Sequence, residues 1–159
     1  MAKNSDLITW SNTFACGIKI IDDQHKSMVN LVNDMYNHIT GNEWEEQEYL
    51  RRVLTTAVKY IRVHFTTEER IFIGTKFVGY LEHKKEHDHF ILTVTDRIKE
   101  FQSGKRVSLT SFTNFLKDWI LTHIAVMDKQ YFIYLKQIAV RRPDGRYVIS
   151  MINKNSQMM

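Results

Sequence analysis

The sequence has few residues that would interrupt or cross-link the chain. Of its 159 residues, only Cys16 is a cysteine, only Pro143 is a proline, and six are glycines. A single cysteine excludes an internal disulfide and a thiolate metal cluster, so any metal site must use His, Asp and Glu. The scarcity of proline and glycine leaves long stretches without a helix breaker.

Long apolar runs and strong charge of one sign are also missing. No segment approaches the roughly 18 apolar residues that a membrane span needs, and the start, MAKNSDLITW, lacks the apolar region of a signal peptide. We therefore expect a cytoplasmic protein with no membrane partner. The net charge is +4, but acidic and basic residues are interspersed, so we expect no nucleic-acid partner.

Four segments between the glycines carry an apolar stripe with the 3.6-residue period of a helix. They cover approximately residues 23–39, 42–73, 78–102 and 108–138. Asp22 or Asp23 can cap the first, and Ser108 or Thr110 the fourth. Connections of a few residues make consecutive helices antiparallel. This predicts an all-α fold, an up-down-up-down antiparallel four-helix bundle.

The two ends of the chain extend beyond the predicted helices. An N-terminal arm carries Trp10 and Phe14, which we expect to pack on the bundle. We assign residues 1–138 to the bundle domain with its arm, and residues 139–159 to a short C-terminal tail. Within the tail, Pro-Asp-Gly predicts a turn followed by a short extended piece.

Every predicted helix places ionisable groups on its apolar stripe. These groups are His25, then His64 and Glu68, then His83 and His87, then His123. A lone histidine on an apolar face is usually a hydrogen-bonded core residue. Six such groups, if unpaired, would cost several kcal/mol of desolvation. A metal centre would supply partners for all of them at once.

The direction of the helices brings these groups to one level. In an antiparallel bundle, the early parts of the first and third helices lie beside the late parts of the second and fourth. Asp128 follows His123 by five residues, about 140° away on an ideal helix. Asp128 can reach the centre along the helix flank, or through a one-residue π-bulge, a feature frequent at functional sites.

The spacing of these residues and their surroundings resemble the hemerythrins, most closely the single-domain bacteriohemerythrins. The resemblance covers approximately residues 10–135. It rests on Trp10 and on four stretches of sequence: GIKIIDDQHKSMVNLVN, HFTTEE, HKKEHDHF and DWILTHIAVMD. Cys16 departs from the pattern, because a small aliphatic residue is expected there.

The resemblance implies a non-haem centre of two iron ions, Fe²⁺ or Fe³⁺, with an oxo or hydroxo bridge. One iron would be bound by three histidines and the other by two, and two carboxylates would bridge them. The three are His83, His87 and His123; the two are His25 and His64; the carboxylates are Glu68 and Asp128. The two-histidine iron would have an open position for dioxygen.

The function implied is reversible dioxygen binding for transport, storage, supply or scavenging, without enzymatic activity. Two alternatives stay open: a di-iron redox enzyme acting on peroxide or nitric oxide, and an oxygen or redox sensor module. Candidates for an apolar pocket wall are Met28, Phe65, Trp119 and Ile120. The other two histidines are not predicted to bind metal. We expect His38 at the surface or capping the first helix, and His89 facing solvent. The oligomeric state stays open, with a monomer slightly favoured.

Overall fold

The computed structural model describes residues 5–138, 140–141 and 147–148, and the side chains of residues 5–138. After a 3₁₀ turn, the helices are α1 (Lys19–Asn37), α2 (Glu43–Thr75), α3 (Tyr80–Gln102), α4 (Leu109–Thr122) and α5 (Asp128–Ile138). A π-helical segment, His123–Met127, joins α4 to α5. These last three elements form one continuous fourth helix of the bundle. The predicted all-α four-helix bundle is confirmed.

Helix α1 packs against α2 and α4, and α2 packs against α3. The arm behaves as predicted, with Trp10 and Phe14 packed on the core. It is also tied to α1 by Asn33, whose side chain accepts from the Ile8 amide at 2.8 Å and donates to the Ile8 carbonyl at 2.9 Å. None of the helices in the described residues is long and apolar enough to cross a membrane.

The predicted N-cap is confirmed at α4 and wrong at α1, and α2 has an N-cap, Asn42, that was not predicted. The side chains of Asn42 and Ser108 accept from amides three residues on, at 3.3 Å and 3.2 Å. Helix α1 instead begins at Lys19, and its N-cap, Ile18, provides no side-chain bond. Asp22 lies inside the first turn because its carboxylate accepts from two arm amides, those of Cys16 at 2.7 Å and Gly17 at 3.1 Å.

Two further local predictions differ from the structure. Gly74 does not end α2. The last helical residue is Thr75, and the C-cap residue, Lys76, has the left-handed conformation (φ 56°). Tyr60, whose spacing predicts a place on the apolar stripe of the second helix, is 43% exposed. Ile61, on the same predicted stripe, is buried in the core.

The C-terminal tail contains two short strands in its described residues. Strand β1 (Val140–Arg141) pairs antiparallel with β2 (Tyr147–Val148). The extended piece predicted after the turn agrees with β2. The predicted Pro-Asp-Gly turn, residues 143–145, lies outside the described residues.

The apolar core has two parts, one on each side of the level of the ionisable residues. The larger part includes Met28, Leu50, Phe65, Phe90 and Leu116. The smaller part consists of Cys16, Ile21, Ile71, Phe72, Tyr131, Phe132 and Leu135. Apolar contacts on both sides of the polar layer thus hold the helices together. This packing fixes the positions of the side chains within the polar layer.

Replacing Asn42 by alanine should lower the free energy of unfolding of the metal-free protein by about 1 kcal/mol, because the amide of residue 45 loses its capping acceptor. Urea denaturation followed by circular dichroism measures this. The matched control is Asn114→Ala at an exposed position within α4, where alanine is a better helix former. Equal losses for the two variants would contradict the capping role.

Candidate metal centre

Seven ionisable side chains meet in the polar layer of the bundle. Each is at most 3% exposed. They are the residues singled out in the sequence: His25, His64, Glu68, His83, His87, His123 and Asp128. The structure therefore places all seven together, with contributions from α1, α2, α3 and the fourth bundle helix.

The π-helical segment explains how Asp128 reaches the layer. The backbone N–H of Asp128 donates to the carbonyl of His123, five residues earlier, instead of four. The extra residue in this turn rotates Asp128 onto the same face as His123. As a result, Asp128 Oδ1 lies 3.1 Å from His123 Nε2. The predicted π-bulge is confirmed.

The layer divides into two groups of potential ligands. In the first, His123 Nε2 lies 3.3 Å from His83 Nε2 and 3.2 Å from His87 Nε2, and Glu68 Oε2 lies 3.3 Å from His87 Nε2. The second group consists of His25, His64, Glu68 and Asp128, whose ligand atoms all lie within 4.8 Å of one another. Each group could hold one metal ion.

The two carboxylates lie between the two groups. Asp128 directs Oδ2 to His25 Nε2 at 3.2 Å and Oδ1 to His83 Nε2 at 3.3 Å. Glu68 Oε2 is 3.5 Å from His64 Nε2 in one group and 3.3 Å from His87 Nε2 in the other. Both side chains are therefore placed to contact two cations at once.

Several atoms that face the layer have no hydrogen-bond partner among the described residues. They are both ring nitrogens of His25, Nε2 of His64, and the carboxylate oxygens of Glu68 and Asp128. Fully buried polar atoms are normally paired. Five imidazoles and two carboxylates in this arrangement suit first-row transition metal ions. The residues present thus fit a pair of cations.

Two histidines are held from behind by residues that the sequence analysis did not assign. His87 Nδ1 lies 3.2 Å from Glu69 Oε1, and His64 Nδ1 lies 3.3 Å from Gln24 Oε1. A carboxylate oxygen can only accept, so the His87 proton sits on Nδ1 and Nε2 presents a lone pair to the layer. The sequence offers one indication of these two residues, their position next to predicted ligands: Gln24 precedes His25, and Glu69 follows Glu68.

The electrostatics of the layer prepare most of these groups to bind cations. Burial lowers the pKa of His64 to about 4, which keeps this ring neutral. Burial alone would raise the pKa of Glu68, but the charge interaction with His64 and the close approach of His123, His83 and His87 hold this pKa well below its usual range. The pKa of His83 rises to about 9, because Asp128 and Glu68 outweigh the opposing effect of burial.

The residues proposed as an apolar wall lie on the side of the larger core. Met28, Phe65 and Ile120 are buried, and Trp119 is half-buried. Phe65 stacks on His87 with 3.7 Å between ring centroids, and Trp119 stacks on His123 at 4.3 Å. Both rings therefore contact the three-histidine group, and Phe65 also lies beside His64 of the other group, with 5.7 Å between ring centroids. The ring of Phe132, a residue not predicted as part of the wall, lies beside His25, with 6.2 Å between the ring centroids.

The other two histidines take no part in the layer. His38 is exposed and forms the C-cap of α1, and its Nδ1 donates to the carbonyl of Asp34 at 2.8 Å. His89 is exposed on α3. Both predictions are confirmed.

Fold and site together define a four-helix bundle protein with a buried cation-binding layer. The family model Hemerythrin HHE cation binding domain matches residues 16–135. The chain is 31% identical to a bacteriohemerythrin of Methylococcus capsulatus over 127 residues, which is 79% of this chain and 94% of that relative. It is 27% identical over 127 residues to a myohemerythrin of Sipunculus nudus, covering 79% and 92% of the two chains.

A solved structure shows the same likeness. The crystal structure of a wild-type hemerythrin superposes with a TM-score of 0.71 at 30% identity, covering 80% of this chain and 96% of that one. The chain belongs to the hemerythrin family.

Adding Zn²⁺ to the metal-free protein should raise its Tm in a concentration-dependent way, because a ligand that binds only the folded state stabilises it. The gain is about 2.7 kcal/mol at a hundredfold excess over Kd. Differential scanning calorimetry measures the shift. His123→Ala should reduce it strongly, whereas His89→Ala, at the exposed histidine, should keep it. A wild-type Tm that does not respond to Zn²⁺ would refute the metal centre.

Proposed function

We propose that this protein binds dioxygen reversibly at two iron ions held in the polar layer. The first ion is held by three histidines and the second by two, with both carboxylates and an oxo or hydroxo group bridging them. The ligands of the first ion are His83, His87 and His123, those of the second ion are His25 and His64, and the bridging carboxylates are Glu68 and Asp128. Family membership and the division of the layer into these two groups support the proposal.

The observation that carries the proposal is the position of the carboxylates. Asp128 directs one oxygen to each group, and Glu68 Oε2 is within 3.5 Å of a histidine from each. A carboxylate that bridges two cations holds them close together and offsets their repulsion. Two separate, unrelated cation sites would not require shared carboxylates.

The number of neutral ligands favours mild, reversible chemistry. A pair of ferrous ions, when bound here, supplies two electrons that dioxygen can take up and return. Five imidazoles support both oxidation states of iron. With only two anionic side chains, the layer stabilises high oxidation states less than a carboxylate-rich centre does. The two-histidine group has one protein ligand fewer, so we infer that dioxygen enters there.

The residues around the layer keep water and acids away from the ions. Met28, Phe65 and Ile120 are each less than 5% exposed. We propose that they, with Trp119, form the apolar wall of the oxygen pocket. An apolar wall offers no proton donor to the pocket, and so would slow loss of the oxygenated form by irreversible oxidation.

The function is tested by loading the protein with Fe²⁺ without air, exposing it to air, and then restoring anaerobic conditions. We expect a visible charge-transfer band that appears with oxygen and disappears without it. A matched sample of His123→Ala should show no reversible band, because one iron loses a ligand. Immediate and irreversible oxidation of the wild-type protein would instead favour a redox enzyme acting on peroxide or nitric oxide.

Substituting Ile120 by alanine should shorten the half-life of the oxygenated form, because the shorter side chain admits water to the pocket. The cavity should also lower the free energy of unfolding by about 2–5 kcal/mol. The decay of the charge-transfer band measures the half-life. The matched control is Ile133→Ala, in the same bundle helix but 60% exposed. An unchanged half-life in Ile120→Ala would contradict the wall.

A further inference from the structure

The two groups of ligands differ in what stands behind them. In the three-histidine group, the outer nitrogen of His87 meets a carboxylate, Glu69. In the two-histidine group, the outer nitrogen of His64 meets a neutral amide, Gln24. Glu69 and Gln24 do not belong to the seven proposed ligands, and they lie at similar distances from their histidines, 3.2 Å and 3.3 Å. The contrast is therefore one of charge more than of geometry.

Glu69 connects the layer to the surface of the protein. Its Oε1 accepts from His87, while its Oε2 lies 4.0 Å from the ammonium of Lys84. Lys84 in turn donates to both oxygens of Asp88, at 2.6 Å and 2.8 Å. Because the Lys84 charge is shared with Asp88, it does not cancel that of Glu69. The Glu69 side chain is 23% exposed, so its negative charge is partly hydrated and tolerable at this position.

Gln24 is oriented by a chain of hydrogen bonds that leaves no ambiguity about its amide. The Thr67 hydroxyl donates to the Val63 carbonyl at 2.7 Å. It must therefore accept from Gln24 Nε2, 2.9 Å away. This places Gln24 Oε1 toward His64, where it accepts the Nδ1 proton. His64 thus presents Nε2 to the layer in the same tautomer as His87, but without an anion behind it.

An anion that accepts the outer N–H of a ligating histidine changes how strongly that histidine binds its metal ion. A hydrogen bond from an imidazole N–H to a carboxylate is stronger than one to an amide, and it raises the basicity of the opposite nitrogen. We propose that Glu69 and Gln24 increase the difference in affinity between the two metal positions, so that the ion held by His83, His87 and His123 binds more tightly. This inference rests on the ligand assignment of the proposed function, and concerns residues that modulate the ligands without touching metal.

The test uses Zn²⁺, which has no redox chemistry, in competition with a chromophoric chelator. Wild-type protein should take up two ions in two steps. In Glu69→Gln, the first step should weaken roughly 10–100-fold, the usual effect of losing a carboxylate behind a metal-bound histidine, and the second should change little. In Gln24→Glu, the second step should strengthen instead. Exchanging both residues should bring the affinities of the two steps closer together.

The substitution Glu69→Gln separates charge from position. A glutamine at 69 can still accept the His87 proton through its side-chain oxygen, so a merely structural role would survive. Glu82→Gln is the matched control, since it removes an exposed carboxylate of α3 that pairs with Lys85 and lies outside the layer. Nitrogen-15 NMR of the histidine rings provides a second readout. The first equivalent of Zn²⁺ should shift the His87 resonances and the second should shift those of His64.

The possible failures are distinguishable. If wild-type protein binds two Zn²⁺ ions but Glu69→Gln leaves both steps unchanged, or weakens both alike, the inference is overturned and the metal centre stands. It is also overturned if His64 responds to the first equivalent. If the chain does not bind two ions, the proposed centre itself fails. Loss of reversible oxygen binding with the Zn²⁺ steps intact would overturn only the oxygen function.

Discussion

The structure depends on the burial of seven ionisable side chains in one layer of a small bundle. Unpaired charges and polar atoms in such a place cost several kcal/mol, and within the described residues four of these side chains, His25, His64, Glu68 and Asp128, have buried atoms without a hydrogen-bond partner. Cations bound between the groups would supply the missing interactions. The apolar core on both sides of the layer holds the four helices in place and so keeps the ligands converged.

One local irregularity of the backbone completes the layer. The five-residue hydrogen bond from Asp128 to His123 rotates the carboxylate onto the ligand face, whereas a regular helix would direct it toward the flank. A π-helical turn is less favourable than an α-helical one, so it persists where the surroundings require it. Here Tyr131, Phe132 and Leu135, which follow the turn, are all buried, and a regular register would rotate them out of the smaller core.

Helix periodicity was a good guide to the layer and a weaker guide to boundaries. The ionisable groups on the apolar stripes all proved buried, since a residue on such a stripe faces the neighbouring helices whatever their detailed packing. Caps depend on individual side-chain contacts. Asp22 has the right chemistry for a cap, but its oxygens bond the arm. Tyr60 fits the stripe by spacing, yet its bulky ring remains at the edge.

Periodicity and chain direction are enough to predict four antiparallel helices with histidines and carboxylates at one level, because a helical period assigns each residue to a face and short connections reverse the chain. The position of the carboxylates between the two groups, and the residues that contact the outer nitrogens of the histidines, follow instead from the packing of the helices. The contact of His87 with Glu69, and that of His64 with Gln24, join different helices. Such contacts depend on helix rotation and side-chain conformation, which spacing along the chain does not specify.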